Sequence, residues 1–199
     1  MTDPIGKFKD WWKEALSDSP LKHKNAICVS TVDSNGFPNA RFVDLKTVDD
    51  GGFTFCSYYD SAKGKEISQN PKIAITVWWD HVGYQIRIVG NASKIPEEEA
   101  EKHWSGRSVE AQVTTSISKQ SNYLKSETDL MQAVEAKKLE LAGNSIQRPA
   151  NWGGYLAVPE KIEFLTFRQN RLHLREQFVR KSQNWDCLLY TSPSPRDRG

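Results

Sequence analysis

Ala26-Ile27-Cys28-Val29-Ser30-Thr31-Val32, Asp33-Ser34-Asn35-Gly36 and Ala40-Arg41-Phe42-Val43-Asp44-Leu45-Lys46 read as a strand, a hairpin turn and a second strand. β-branched and aromatic residues fill both runs, and Asn-Gly between such runs is a strong hairpin signal. The pattern continues outward. Asp49-Asp50-Gly51-Gly52 turns the chain into a strand over Phe53–Tyr58, Lys72–Trp79 is a near-continuous apolar strand, and Gly83–Val89 is another, closed by Gly90. Five strands with tight turns in so short a span argue for an antiparallel barrel or sandwich.

Helical signals surround this block. Asp3-Pro4 opens a short amphipathic helix carrying Ile5, Phe8, Trp11, Trp12 and Ala15, which Ser17-Asp18-Ser19-Pro20 stops. Ser61 caps a helix through Ser68, and Asn70-Pro71 ends it. Pro96–Ser105 is acidic and helical. Ser121–Ala142 is helical too, with Leu124, Leu130, Val134, Leu139 and Leu141 available for packing, until Arg148-Pro149-Ala150 breaks the run. Trp152-Gly153-Gly154-Tyr155 then opens a strand, Pro159 turns it, and Lys161–Phe167 pairs back before a last strand over Arg171–Arg175. The expected class is α+β: an antiparallel barrel with helices on its outside. No internal repeat and no domain linker is visible.

The composition narrows the function classes. The 199 residues suffice for one domain with a real core. The net charge of +2, from 27 basic against 25 acidic residues, does not fit a nucleic-acid binder held by bulk charge. Any anion site must be local. No stretch approaches the length of a membrane span, and no signal-peptide pattern opens the chain. The three cysteines, Cys28, Cys56 and Cys187, are scattered; they give no metal-ligand spacing and no disulfide framework. A reducing cytoplasm is the expected compartment. Seven Trp and six Tyr suit a planar ligand or a dimer interface.

The end of the chain stands apart. Cys187-Leu188-Leu189-Tyr190-Thr191-Ser192-Pro193-Ser194-Pro195-Arg196-Asp197 looks like the translation of a sequencing-library adapter. It is Pro/Ser-rich and lacks a period. The expectation is one domain over residues 1–186, a non-native and disordered tail over 187–199, and a natural C-terminus that is missing.

Read as a strand, Asn170-Arg171-Leu172-His173-Leu174-Arg175 puts Arg171, His173 and Arg175 on one face and two leucines on the other. Two fixed cations around an imidazole repel one another unless something anionic sits between them. An edge strand whose charges resist aggregation has the same pattern. The alternative is the wall of a pocket for an anionic ligand.

Arg41–Lys46, Ser118-Lys119-Gln120-Ser121, Asn151-Trp152-Gly153-Gly154-Tyr155 and Arg171–Arg175 occur in an order and at spacings that resemble the pyridoxamine 5′-phosphate oxidase family. The resemblance runs from about Asp3 to Trp185. It implies a homodimeric split β-barrel that binds FMN in clefts between subunits. It also implies oxidation of pyridoxamine or pyridoxine 5′-phosphate to pyridoxal 5′-phosphate, with O2 as acceptor and H2O2 as product. The resemblance gives Arg41, Lys63, Ser57, Gln120 and Ser121 to the FMN phosphate and adds Arg175, Cys56 and Lys46 to the flavin site. The backbone of Phe42 and Val43 would run along the isoalloxazine, and Gln85 would hydrogen-bond it. Substrate falls to Lys46, His103, Arg107, Arg171, Leu172 and His173, of which Arg171 and His173 cover the pyridine ring as the catalytic pair. Arg41 and Lys46 are five apart and face opposite ways on an ideal strand, so either a bulge lies between them or Lys46 sits past the strand end.

The chain departs from the family pattern at Ala62, where an arginine is usual, at His103 for a tyrosine, at Ala111 for a serine, at Leu165 for a tryptophan and at Leu174 for an aspartate. Lys46, Arg107, Arg171 and His173 favour the vitamin B6 substrate. Ala62, Ala111 and Leu165 favour a sibling flavin oxidase of another planar, phenazine-type substrate. A flavin-binding protein without turnover is the third reading.

Overall fold

The computed structural model describes residues 3–117, 126–141, 146–168, 173–182 and 184–191. Helix α1 spans Pro4–Ser17, with the Asp3 carboxylate accepting from the backbone N–H of Ile5 and of Gly6, both at 2.9 Å. Strands β1 (Ala26–Val32), β2 (Pro38–Asp49) and β3 (Gly52–Tyr58) follow, then α2 (Ala62–Gln69), β4 (Lys72–Trp79) and β5 (Tyr84–Lys94). Next come α3 (Glu97–Ser105), α4 (Val109–Ile117) and α5 (Glu127–Leu141), then β6 (Trp152–Thr166), β7 (Leu174–Lys181) and β8 (Asn184–Thr191). The strand order is β3-β2-β1-β4-β5-β6-β7-β8, and a further β3–β6 pairing closes the first six strands into an antiparallel barrel. The five-strand block and its hairpin turns are as the sequence predicts.

The barrel interior follows from alternation along the strands. Ile27, Val29, Ile75, Val77, Ile86, Ile88, Ile162 and Phe164 point inward and are fully buried. Helix α1 adds Phe8, whose ring meets Phe53 edge-on at 4.8 Å and Trp79 at 5.7 Å. Trp11 stacks on Tyr84 at 3.9 Å. Such pairs contribute roughly 0.5–1.5 kcal/mol beyond their buried area. A second cluster, Tyr58, Trp104, Val113, Ile146 and Trp152, fixes α3 and α4 against the barrel.

Five expectations are corrected. Gly90 does not end β5, and Pro159 does not turn β6. The two face each other at a register shift, where Val89 pairs with Lys161 and Gly90 with Pro159. A Cβ on Gly90 would lie 2.0 Å from the Val158 carbonyl oxygen, so only glycine permits this crossing. Proline is tolerated at such a bulge because the ladder is already interrupted. Pro159 also marks where the outer neighbour of β6 changes: Trp152–Ala157 pairs with β3, and Lys161–Thr166 pairs with β7.

Of the strand expected over Arg171–Arg175, the described part begins at Leu174, as β7, and β8 follows it. His173 immediately precedes β7, while Arg171 and Leu172 lie outside the described residues. Cys187–Thr191, expected to be disordered, belongs to β8 and pairs along β7 from Phe178–Cys187 to Leu174–Thr191. Leu139 does not pack; it is 82% exposed. Helix α4 went unpredicted because its Val, Thr and Ile residues carry no helical propensity signal. Tertiary packing of Val113 under Trp104 fixes it instead. No helix among the described residues is long and apolar enough to cross a membrane.

Candidate functional site

The site starts from an irregularity in β2. Leu45 pairs with Phe55 and Thr47 with Thr54, so Lys46 is the extra residue of a β-bulge. The bulge resolves the spacing of Arg41 and Lys46: both side chains line one cavity. That cavity, of about 450 Å³, is bounded by Arg41, Phe42, Val43, Asp44, Lys46, Cys56, Ala62, Lys63 and Arg107. Four cations converge against the single lining carboxylate of Asp44, in a volume normal for a small-molecule site. The composition is that of an anion receptor.

The cations fall into two groups. On one side, Lys63 is buried on α2 and donates to the Ser57 hydroxyl at 2.8 Å. Ser57 in turn lies 3.3 Å from the hydroxyl of Ser61, the α2 N-cap. Burial, then the nearby Arg41 guanidinium, depress the Lys63 pKa to about 8, against the opposing pull of Glu66. Arg41 donates from Nη2 to Glu66 Oε2 at 2.9 Å and from Nη1 to the Thr31 hydroxyl. Glu66 also accepts from Thr31 and, at 2.9 Å, from Asn39 Nδ2.

On the other side, Lys46 stands 3.4 Å from Asp44. Arg107 lies over the Trp152 ring at 5.1 Å and the Trp104 ring at 5.9 Å. Its Nη2 donates to the Thr115 hydroxyl at 2.9 Å and to the Ala111 carbonyl at 3.2 Å. Its Nε is buried with no acceptor among the described residues. Cys56 lines the same cavity within electrostatic reach of Lys46 and Arg107. Burial pushes its thiol up to about 11, and the two cations only partly offset that.

The remaining predicted residues lie elsewhere. Gln85 and Arg175 do not line this cavity. They belong to a cross-strand row over β4, β5, β6 and β7, in which Trp78, Gln85, Leu165 and Arg175 are successive partners. Arg175 Nη1 donates to the buried Glu163 at 2.7 Å. Trp78, 44% exposed, meets Phe167 edge-on at 5.0 Å, and Phe167 meets His173 at 4.9 Å. Buried His173 accepts from the Arg168 N–H through Nδ1 at 3.1 Å. His103 projects from α3 to 3.7 Å from Glu99 and does not reach the cavity lining. Gln120, Ser121, Arg171 and Leu172 lie outside the described residues.

The sequence reading missed Glu66, Asp44 and Glu163. Glu66 follows Lys63 by three positions on a helix and so shares its face, which is a readable signal. Its pairing with Arg41, 25 residues away, is tertiary and is not legible in the sequence.

Two family models match the chain. One, described as pyridoxamine 5′-phosphate oxidase, covers residues 13–137, and the other, described as the C-terminal dimerisation region of pyridoxine 5′-phosphate oxidase, covers residues 152–189. A pyridoxine/pyridoxamine 5′-phosphate oxidase from Leptospira biflexa is 40% identical over 183 residues, covering 92% of this chain and 86% of the relative. One from Hydrogenovibrio crunogenus is 39% identical over 194 residues, covering 98% and 89%. Among solved structures, PhzG from Burkholderia lata in complex with tetrahydrophenazine-1-carboxylic acid has a TM-score of 0.89 at 29% identity, covering 96% of this chain and 94% of that one. An FMN-binding protein from Nostoc punctiforme shares the fold, with a TM-score of 0.77 at 18% identity.

Proposed function

The chain belongs to the pyridoxamine 5′-phosphate oxidase family, and from that premise we propose that it oxidises pyridoxamine and pyridoxine 5′-phosphate to pyridoxal 5′-phosphate, with FMN as cofactor, O2 as acceptor and H2O2 as product, the amine substrate also consuming water and releasing ammonia. The observation that carries the reading is the division of one cavity's cations into two pairs, Arg41 with Lys63 and Lys46 with Arg107. Two phosphates, one on the cofactor and one on the substrate, need two such pairs.

The donor set fits FMN. Arg41, Lys63 and Ser57 hold its phosphate, joined by Gln120 and Ser121. Phe42, Val43 and Cys56, which line the same cavity, would flank the ring system. Bound there, FMN would supply the redox chemistry, hydride acceptance from the substrate with O2 as final acceptor. The protein's residues supply position and charge. Lys46 and Arg107 grip the substrate phosphate, and the Trp152 and Trp104 rings back the Arg107 guanidinium at 5.1 and 5.9 Å. Arg171 and His173 orient the pyridine ring. Gln85 and Arg175, on their separate face, reach the cofactor from a second copy of the chain, so the working unit is a homodimer. The matched dimerisation region contains Arg175 and lies next to Gln85 across β5 and β6. A reducing, cytoplasmic setting suits the free thiols.

A second reading is a flavin oxidase of a phenazine-type carboxylic acid. The likeness to PhzG supports it, and so does Asp44, which competes with a substrate phosphate for Lys46. The test is to incubate FMN-loaded protein separately with pyridoxamine 5′-phosphate, pyridoxine 5′-phosphate and tetrahydrophenazine-1-carboxylic acid, measuring pyridoxal 5′-phosphate and peroxide. Pyridoxal 5′-phosphate with equimolar peroxide is expected. Peroxide from the phenazine compound alone would overturn the reading in favour of the second.

A further inference from the structure

The geometry points to Glu66 as a positioning residue of the FMN-phosphate site: a buried carboxylate that aims the Arg41 guanidinium into the cavity. The inference rests on the FMN reading above. A carboxylate close to a phosphate site repels the ligand, which carries charge of the same sign. Burying one there demands a compensating role.

The contacts supply that role. Glu66 is 8% exposed and takes three donors: Arg41 Nη2 and Asn39 Nδ2 at 2.9 Å each, and the Thr31 hydroxyl. Thr31 at the same time accepts from Arg41 Nη1, and the Val29 carbonyl lies 3.4 Å from that nitrogen. Both terminal nitrogens of Arg41 are therefore held from behind by β1 and α2, which leaves the remaining N–H groups for the cavity. An arginine fixed in this way loses little freedom on binding an anion.

The second part of the role is electrostatic. The charged groups around Lys63 are Arg41 from β2, which opposes its protonation, and Glu66 from its own helix, which favours it. Ser57 from β3 and Ser61 at the helix cap add only hydroxyls. Asp44, Lys46 and Arg107 line the same cavity farther round, with the Cys56 thiol, which is neutral through this pH range. Removal of Glu66 leaves two cations facing each other without their counter-charge, and the lysine gives up its proton at lower pH.

The experiment compares FMN with riboflavin, which lacks the phosphate, by flavin fluorescence quenching on the apoprotein between pH 6.5 and 9.5. Glu66→Gln is expected to raise the FMN Kd about tenfold, the loss of a charge-assisted contact. Riboflavin affinity should stay unchanged, and the alkaline fall in FMN affinity should begin at lower pH. In the Glu66→Gln/Lys63→Arg double variant that fall should vanish, since arginine does not titrate here. If melting shows that Glu66→Gln does not fold, Glu66→Asp carries the test: the charge stays, the reach to Arg41 is lost, and FMN affinity drops without a shift of the alkaline fall. Unchanged or tighter FMN binding in the folded variant overturns the inference, as does a parallel loss of riboflavin. Failure of the wild-type protein to bind FMN at all defeats the functional reading and this inference with it.

Discussion

Lys63 Nζ donates to Ser57 Oγ at 2.8 Å; both residues are buried, and Lys63 lines the cation-rich cavity. A lysine placed there is costly to fold. Its folded-state pKa, about 8, lies below its ordinary value of 10.5. The charged form is therefore disfavoured by folding, fully so below pH 8, and the penalty fades as pH rises from about 8 to 10.5.

Replacing that charge should stabilise the empty protein and damage the site. Lys63→Met keeps the length of the side chain and removes the desolvation penalty. We expect the apoprotein to gain on the order of 1 kcal/mol near neutral pH while FMN affinity falls. Chemical denaturation with and without FMN measures both. A loss of apoprotein stability would contradict the assignment.

Arg41→Ala should weaken FMN more than Lys63→Ala does. Arg41 makes a directional contact, and its removal also strands the buried Glu66 carboxylate. The apoprotein should lose about 3 kcal/mol as well. Equal FMN affinities in the two variants would show that the cations are interchangeable.

Trp79 and Trp152 are buried within the chain, but Trp78 is not. Its row with Gln85, Leu165 and Arg175 gives the face expected to meet a second copy. Sedimentation should find a dimer at micromolar concentration. Trp78→Glu should shift it to monomer and reduce FMN affinity at the same time. A monomeric wild-type protein that holds FMN tightly would exclude the shared site.

His173→Asn should raise KM for pyridoxamine 5′-phosphate and lower turnover while the protein stays yellow. We expect kcat/KM to fall roughly tenfold or more, since one oriented contact to the substrate is lost. If FMN dissociates instead, the ring faces the flavin and the division of roles is wrong.

Truncation after Asp186 should change little. Trp185 remains, with Arg180 over its ring at 5.7 Å. Leu188 and Leu189, exposed by 58% and 67%, bury little apolar surface in β8. We expect a melting shift of no more than about 3 °C, equivalent to roughly 1 kcal/mol for a chain of this size. A larger drop would make the strand a genuine part of the domain.

Local rules carried much of the fold. Asp3, Ser61 and the Asp33–Gly36 turn act through their own neighbours, so the sequence reveals them directly. The Gly90–Pro159 crossing was misread because each residue alone is a strand breaker. Only their pairing across the sheet shows that the two interruptions coincide. The site divides along the same line. Arg41, Lys46, Lys63 and Arg107 were legible as cations, and the resemblance grouped them. The carboxylates that restrain them, Glu66 and Asp44, were not, since an acidic residue argues against an anion site until its partner is known. His103 was assigned by alignment with a tyrosine, but its ring turns along α3 toward Glu99.

The continuity of β6 has a consequence for how the molecule comes apart. Its first half pairs with β3 and its second half with β7, while β5 pairs along both halves, so the region matched by the second family model is hydrogen-bonded through this strand to the region matched by the first. Because β5 is bonded to β6 from Tyr155 to Thr166, neither half of the strand opens without disturbing the ladder that also holds the other. Amide exchange along Trp152–Thr166 should therefore report a single opening event for the whole strand, with no step at Pro159. The protein should melt as one cooperative unit.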